Sequence, residues 1–236
     1  MDPSSRSNSK LLRQSRSITQ TWMAQIYGWM TCGLLLTAFV SFYALRTPGL
    51  MQAIFSSRLT FFGLIIVQLG VVIALSALIR RISAGLATGL FMLYSALTGL
   101  TMSAIFLAYT ASSIASTFVV TAGTFAVMSL WGYTTKRDLT RFGSMLFMGL
   151  IGVVLASLVN FWLKSPALTW VITYIGVLVF VGLTAYDTQR LKQMGEGIDM
   201  RDGSNVRRYA ILGALTLYLD FINLFLMLLR IMGDRR

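Results

Sequence analysis

The sequence predicts an all-α membrane protein, a seven-transmembrane-helix bundle in which the seventh helix is central. Of the 236 residues, 56% are hydrophobic and only 12% are charged, whereas a soluble domain carries about 25% charged residues. The charged residues also fall in short clusters between long apolar runs. Lipid must therefore cover most of the surface, and a lipid-covered chain of this composition crosses the membrane as helices.

Crossing the hydrocarbon core takes a helix of about 20 apolar residues. The chain contains seven such runs, which are in order Trp22–Leu45, Leu59–Ile79, Gly85–Tyr109, Ser112–Tyr133, Phe142–Leu163, Ala167–Leu191 and Tyr209–Ile231. Pro48 and Pro166 lie outside these runs. Neither proline therefore interrupts a predicted helix.

The segments between the runs are short, with two exceptions. Residues 1–21 are polar and basic, and we expect a mobile cytoplasmic tail before the transmembrane domain of residues 22–236. Residues 192–208 are predicted to be the one long loop, because their Gly, Asp, Ser and Asn residues favour irregular structure. Within the third run, Gly85 and Gly89 form a small-xxx-small pattern, which lets helices approach closely.

Lys and Arg are distributed unequally between the two ends of the predicted spans. Fourteen lie in the tail and the second, fourth and sixth loops, and six lie in the other loops and at the C-terminus. Because cytoplasmic loops carry the excess of Lys and Arg, we expect a cytoplasmic N-terminus and a periplasmic C-terminus. These clusters fit loops held against anionic headgroups, so the net charge of +12 does not indicate nucleic acid.

The residue types exclude several kinds of site. The chain has no histidine, which excludes a Ser-His or Cys-His catalytic pair and argues against zinc. Cys32 is the single cysteine and lies in an apolar run, where we expect it to be a small packing residue. No cofactor is expected.

Two of the eight acidic residues lie within predicted spans, Asp187 in the sixth and Asp220 in the seventh. A carboxyl group inside the membrane costs about 2.5–3.5 kcal/mol and usually faces the bundle interior. Two carboxyls close together in a low dielectric do not both ionise easily, so they share a proton. Such a pair could sense pH, exchange its proton for calcium or activate water. The alternative is a structural hydrogen bond between helices.

The seventh run carries one small and polar face. Its members recur at spacings of three and four and are Gly213, Thr216, Asp220, Asn223, Met227 and Arg230. This spacing places them on one side of a helix. Depth limits their contact with the sixth run, since Asp187 lies about 6 Å and Asp220 about 16 Å from the inner ends of their runs. The two carboxyls meet only if the seventh helix is shorter or shifted inward, or if the sixth continues past Leu191.

Other polar residues in or beside the spans are candidates for pairing. Arg80 and Arg81 close the second run on the side where Asp187 lies, so either could bind that carboxylate, although arginines there more often only set topology. Gln68 and Asn160 lie deep in spans, and we expect both amides to make hydrogen bonds between helices.

Three segments resemble one membrane-protein family. The seventh run reads Leu217-Tyr-Leu-Asp-Phe-Ile-Asn-Leu-Phe225 and then Leu228-Leu-Arg230, which resembles the signature of the Bax inhibitor-1 family. Ala185-Tyr-Asp187 is similar to its sixth helix, and Ser95-Ala-Leu-Thr-Gly-Leu-Thr101 is similar to its third. The resemblance covers about residues 20–236, and the tail and length look most like bacterial inner-membrane members.

The resemblance implies a seven-helix bundle around the seventh helix and a pH-sensitive calcium leak across the inner membrane. It implies that Asp187 and Asp220 form a hydrogen-bonded pair that senses protons and offers oxygen ligands to calcium. It further implies that an arginine at the inner end of the second helix, Arg81 or alternatively Arg80, binds Asp187 in one state. Calcium ions, protons and the lipid bilayer are then the expected partners.

Two other functions fit part of the pattern. An intramembrane aspartyl protease also has Asp on its sixth and seventh helices, but it has Gly-x-Gly-Asp where this chain has Leu217-Tyr-Leu-Asp220. We therefore do not expect an enzyme. A non-transporting regulator that binds another membrane protein is the stronger alternative, and the sequence does not identify such a partner.

Overall fold

The computed structural model describes residues 3–198 and 201–236, with side chains described from residue 17 onward. Within those residues, seven helices are long and apolar enough to cross a membrane. The seventh is the most enclosed, since 61% of its apolar window is buried, against 6–39% for the other six. The predicted fold class is therefore confirmed. Asp2 and Asp199, which the sequence places in the tail and the sixth loop, lie outside the described residues.

The described residues form nine helices. They are α1 (Pro3–Leu45), α2 (Pro48–Phe55), α3 (Arg58–Leu78), α4 (Ala84–Met102), α5 (Ile105–Ala108), α6 (Ala111–Thr134), α7 (Thr140–Leu163), α8 (Pro166–Glu196) and α9 (Gly203–Met232). The seven spans are α1 from Ser17 onward, α3, α4 with α5, and α6 to α9. Pro48 and Pro166 each begin a helix, at the position where a missing N–H costs least.

The sixth loop is shorter than the sequence predicts. Because α8 continues to Glu196 and α9 begins at Gly203, the predicted loop over residues 192–208 is wrong for most of its length. The Asp202 carboxylate accepts a hydrogen bond from the backbone amide of Asn205 at 3.0 Å. This side-chain cap satisfies a free amide at the helix start and explains why α9 begins so early.

The N-terminal segment is helical from Pro3, and α1 continues without a break to Leu45. After Pro3 the first 21 residues contain neither proline nor glycine, so no residue there opposes helix formation. Residue 22, where we placed the start of the transmembrane domain, is therefore not a helix end. The division into a tail and a transmembrane domain stays a prediction.

The chain divides into two compact units, and the first comprises residues 1–103 and 191–215. In this unit α1 packs on α4 at two glycines. A Cβ atom on Gly99 would lie 2.6 Å from the carbonyl oxygen of Thr37, and one on Gly33 would lie 2.6 Å from the ring of Phe91. The Thr37 hydroxyl donates a hydrogen bond of 2.9 Å to the Ser95 carbonyl, which fixes the two helices where the glycines let them meet.

Three sequence expectations can be checked in the first unit. Gln68 donates a hydrogen bond of 3.2 Å from α3 to the Leu97 carbonyl of α4, so its predicted interhelical role is confirmed. The predicted close approach of another helix at Gly85 and Gly89 is wrong, because a Cβ atom at either position would meet almost nothing. Cys32 is exposed and free, so its predicted packing role is also wrong. It faces away from the side of α1 that contacts α4.

The second unit comprises residues 104–190 and 216–236, and its helices also meet at glycines. A Cβ atom on Gly132 of α6 would collide with the backbone of Ala185 in α8, and one on Gly143 of α7 would collide with the ring of Tyr186. The Asn160 amide donates a hydrogen bond of 2.7 Å from α7 to the Thr169 hydroxyl of α8, as predicted.

Candidate functional site

The carboxyl groups of Asp187 and Asp220 lie side by side within the second unit. Asp187 is 8% exposed and Asp220 is 5% exposed. The two groups are close enough to interact electrostatically, and they lie within range of a hydrogen bond. Because a carboxylate only accepts hydrogen bonds, one partner in such a bond must carry a proton. Two carboxyl groups placed in this way can therefore share one proton.

The inner ends of α8 and α9 both extend beyond the predicted runs, because α9 begins at Gly203, so the extension of α8 alone does not bring the two carboxyl groups to one depth. The sequence requires either a shifted seventh helix or a sixth helix that runs past Leu191, and α8 runs on to Glu196. The backbone of α8 is also positioned just before Asp187, since Gly132 lets α6 lie against Ala185 and Gly143 lets α7 lie against Tyr186. Two glycines on neighbouring helices thus hold the turn of α8 that carries Asp187.

The α9 side of the pair is held by aromatic packing. Phe221, which follows Asp220, has its ring centre 5.5 Å from that of Phe118 and 5.5 Å from that of Phe125, both edge to face. Edge-to-face pairs of aromatic rings stabilise by about 0.5–1.5 kcal/mol beyond the area they bury. Both rings belong to α6, so α6 contacts α9 beside Asp220 as well as α8 beside Asp187.

Residues that follow Asp187 extend the site toward the α6–α7 loop. The Thr188 hydroxyl donates to the Ser129 hydroxyl at 3.3 Å. The Gln189 side chain accepts a hydrogen bond from the Leu139 amide at 2.9 Å and donates one to the Arg137 carbonyl at 2.8 Å. One turn of α8 therefore carries both Asp187 and the contact that fixes this loop.

Arg190 is a charged neighbour that the sequence reasoning missed. It lies three residues after Asp187 on α8, is exposed, and acts electrostatically on that carboxyl group. Residues three apart on a helix are neighbours on its surface, so this spacing was the available signal. Arg190 therefore places a positive charge at the surface, next to the buried pair.

One carboxylate oxygen of the pair can accept a further hydrogen bond. The Oδ2 atom of Asp220 is buried and has no hydrogen-bond partner within the part of the chain that the structure describes. An oxygen of this kind can accept a proton donor or ligate a hard cation. Calcium takes six to eight oxygen ligands, and the described residues contain no cluster of three or more acid, cysteine or histidine side chains. The pair can supply only part of a calcium coordination shell.

The side chains on the polar face of α9 differ in exposure. Thr216 and Asn223 are half-buried, and Arg230 is exposed. The Asn223 amide donates a hydrogen bond of 2.8 Å to the Leu219 carbonyl of its own helix. Arg230 lies ten residues beyond Asp220, or about 15 Å along the helix. Asp220 is the member of this face that interacts electrostatically with Asp187.

Arg80 and Arg81 lie in the turn that follows α3, because that helix ends at Leu78. Both are exposed, and the backbone amide of Arg81 donates a hydrogen bond of 2.8 Å to the Leu78 carbonyl. Their position relative to each other is thus set by a turn and not by helical rotation. They belong to the first unit, and pairing of either arginine with Asp187 stays a prediction.

Comparison with known proteins places the chain among bacterial membrane proteins. Residues 19–236 match a family model described as "Inhibitor of apoptosis-promoting Bax1". The chain is 70% identical to the Inner membrane protein YbhL of Escherichia coli strain K12 over 236 residues, which is all of both chains. It is 45% identical to an uncharacterized protein of Borreliella burgdorferi, over 95% of this chain and 96% of that one. An uncharacterized protein of Deinococcus radiodurans is 44% identical, with the same coverage.

Proposed function

Because the chain belongs to the Bax inhibitor-1 family, we propose that it is a pH-sensitive calcium leak of the bacterial inner membrane, gated by the Asp187–Asp220 pair. The observation that carries this proposal is the burial of two acids on consecutive spans, whose carboxyl groups lie close enough to interact electrostatically. A charged or protonated pair inside the membrane is expensive and marks ion pathways more often than packing. The name of the Escherichia coli relative supports the inner-membrane location.

The proposed gate works through the proton that the pair holds. At low pH the hydrogen bond keeps Asp187 on Asp220. At higher pH the proton leaves, and two adjacent carboxylates in a low dielectric repel each other. Asp187 then becomes free to take another partner. Leak should therefore rise as pH falls, because acid restores the pair.

The partner of the ionised Asp187 is, in this proposal, Arg81, with Arg80 as the alternative. A hydrogen bond to a charged group contributes about 1.5–3 kcal/mol, which shifts a two-state equilibrium roughly ten- to a hundredfold. Such a bond would close the inner end of the path on the cytoplasmic side. Arg190 also carries a positive charge beside Asp187, and it favours the ionised carboxylate in both states.

Calcium is the proposed cargo and not a resident cofactor. Two carboxyl groups supply too few oxygens to hold the ion firmly, which suits a site that an ion passes. We propose no enzymatic activity, since the chain has Leu217-Tyr-Leu-Asp220 where the intramembrane proteases have Gly-x-Gly-Asp. With fourteen Lys and Arg on one side against six on the other, the proposed topology has the N-terminus in the cytoplasm and the C-terminus in the periplasm.

The decisive experiment is calcium flux into liposomes that contain the purified protein. The test variant carries Asp187→Asn and Asp220→Asn, which keep the shape of both side chains and remove the titratable groups. The matched control is Asp138→Asn, because Asp138 is exposed in the α6–α7 loop. We expect flux from the wild type and the control to rise on acidification, and flux from the double variant to be independent of pH. A folded wild-type protein that passes no calcium would instead favour a non-transporting regulator that binds another membrane protein.

A further inference from the structure

A cavity of about 780 Å³ lies in the second unit, far from the carboxyl pair, where α7 ends, α8 begins and α9 ends. Its volume is in the range of about 300–1,000 Å³ that small-molecule sites occupy. Three cationic side chains line it, those of Lys164, Arg230 and Arg235, and no acidic side chain is among its lining residues. The cavity is therefore suited to an anion.

Two of the three cations stand on backbone that is held in place. Lys164 ends α7 in the left-handed conformation with φ of 49°, and its amide donates a hydrogen bond of 2.8 Å to the Asn160 carbonyl. Arg235 lies between two backbone hydrogen bonds of 3.1 Å, from Thr110 to Asp234 and from Arg236 to Ala108. Cations on fixed backbone lose less freedom when they bind an anion.

The acidic residue nearest to these cations along the chain, Asp234, is hydrogen-bonded to a residue outside the cavity. One carboxylate oxygen of Asp234 accepts a hydrogen bond of 3.2 Å from the Ser113 hydroxyl, and the Asp234 amide donates one of 3.0 Å back to that hydroxyl. Ser113 is buried and is not among the lining residues of the cavity. Asp234 is therefore bound to α6. No carboxylate among the lining residues of the cavity neutralises its three cations.

Two of the other lining residues are exposed aromatic side chains. Phe161 is 59% exposed and Trp170 is 46% exposed, and both line the cavity. Aromatic side chains collect at the level of lipid headgroups, where one end of a side chain is apolar and the other is wet. Cations and exposed aromatic rings that line one cavity match a ligand with an anionic head and an apolar tail.

The distribution of charge along the chain supports the same conclusion. Only six Lys and Arg lie on the predicted outer side, and three of them line this one cavity. Setting topology does not explain this clustering, because outer positive charges oppose the predicted orientation. Basic pockets between transmembrane helices are known to bind phospholipid headgroups.

We propose that this cavity binds the headgroup of an anionic phospholipid, with the phosphate on Lys164, Arg230 and Arg235 and the acyl chains along Phe161 and Trp170. The shared chemistry is a phosphate oxyanion, which a lipid or a free phosphate could supply. The exposed aromatic wall favours the lipid, because free phosphate has no apolar part to place there. The proposal concerns the end of the spans opposite to the predicted gate and does not depend on calcium flux.

The test is binding of phosphatidylglycerol to the purified full chain, measured by native mass spectrometry against phosphatidylcholine at equal concentration. The variants are Lys164→Asn, which also suits the left-handed backbone, and Arg230→Gln. Their matched control is Arg46→Gln with Arg58→Gln, two cations of the predicted outer side that do not line the cavity. Each lost cation near the lipid contributes about 1 kcal/mol, so we expect about fivefold weaker binding for each variant and unchanged binding for the control.

Three results would overturn the proposal. Wild-type protein could bind both lipids equally, or the control could lose as much affinity as the cavity variants. Inorganic phosphate at millimolar concentration could displace phosphatidylglycerol from the wild type, which would assign the site to free phosphate. Folding of Lys164→Asn and Arg230→Gln is judged by the thermal transition of each variant without lipid. A variant that does not fold is replaced by Arg235→Gln, because the Arg235 side chain is exposed near the C-terminus. Retention of full affinity by Arg235→Gln would then contradict the proposal.

Discussion

Gly132→Ala should destabilise the protein at the point where α6 crosses α8. A Cβ atom at this position would collide with the Ala185 carbonyl oxygen and would lie 2.9 Å from the Ala185 carbonyl carbon and Cα. These are backbone atoms, so no side chain can rotate away and the two helices must separate. Ala185 lies two residues before Asp187, and the separation would therefore move the carboxyl pair as well.

The size of the effect can be worked out with a control in the same helix. Overpacking usually costs about 1–3 kcal/mol, and a backbone neighbour places Gly132→Ala at the upper end. Gly123 is also in α6, but a Cβ atom there would meet nothing within 4 Å. Gly123→Ala should stabilise the helix by up to about 1 kcal/mol, because alanine is the better helix former. The two variants should then differ by about 2–4 kcal/mol in the free energy of unfolding.

The assay is reversible unfolding of the purified protein in mixed micelles, followed by helical content as the denaturing detergent increases. Both variants change one hydrogen atom to a methyl group in the same helix, so differences in expression or micelle binding should cancel. Equal stability of the two variants would refute the close approach of α6 and α8 at Gly132. A Gly123→Ala variant that is the less stable of the two would refute it more strongly.

Four further predictions follow from other parts of the chain. Trp22→Phe removes an indole hydrogen bond of 2.8 Å to a carbonyl of α8, and it should cost about 0.5–1.5 kcal/mol in the same unfolding assay; an unchanged midpoint would contradict this. Arg81→Ala should raise basal calcium leak and flatten its response to acid, with Arg80→Ala as the control, and no change in either would mean that the latch does not exist. Hydrogen bonds from the Thr140 hydroxyl and amide hold the pKa of Asp138 below its usual range, so these bonds stabilise the start of α7 at neutral pH and are lost as pH falls through the lowered pKa; a carboxyl resonance that titrates at the usual pH would contradict this. A reporter that is active only in the cytoplasm should stay silent at the C-terminus, and a strong signal would mean a miscounted span.

The spans could be predicted from the sequence because each is a long apolar run with few charges. Length and hydropathy alone determine how many helices cross a membrane. The helix ends were harder, since α8 continues through Lys192 and Glu196, and α9 begins at Gly203. Polar residues at a helix end look like a loop in sequence. Their capping hydrogen bonds, such as that of Asp202, appear only in the structure.

The two acids of the candidate site could also be predicted, because a carboxyl group within an apolar run is conspicuous. Whether they meet could not be predicted, since it depends on how α8 and α9 are offset along their axes and on which glycines let helices meet. The sequence drew attention to Gly85 and Gly89, whereas Gly132 and Gly143 make the close approaches. A glycine that contacts a neighbouring backbone has no local signature that separates it from one that faces open space.

The cavity at the other end of the spans shows a third limit. Its three cations come from the end of α7, the end of α9 and the C-terminal segment. These are separated by up to about 70 residues in the chain, so no window of sequence contains them together. Arg230 was assigned to the polar face of the seventh helix from its spacing. Its position at the end of α9 also places it at the cavity with Lys164 and Arg235.

The pH dependence of calcium leak in the two single variants tests the central claim most directly. Wild-type protein, Asp187→Asn and Asp220→Asn would be reconstituted at equal density, and efflux of calcium from liposomes would be followed from acidic to alkaline pH. If the pair is the sensor, each single variant should lose most of the pH dependence, because one remaining carboxyl cannot form the shared-proton pair. A full wild-type pH response in both single variants would contradict the account.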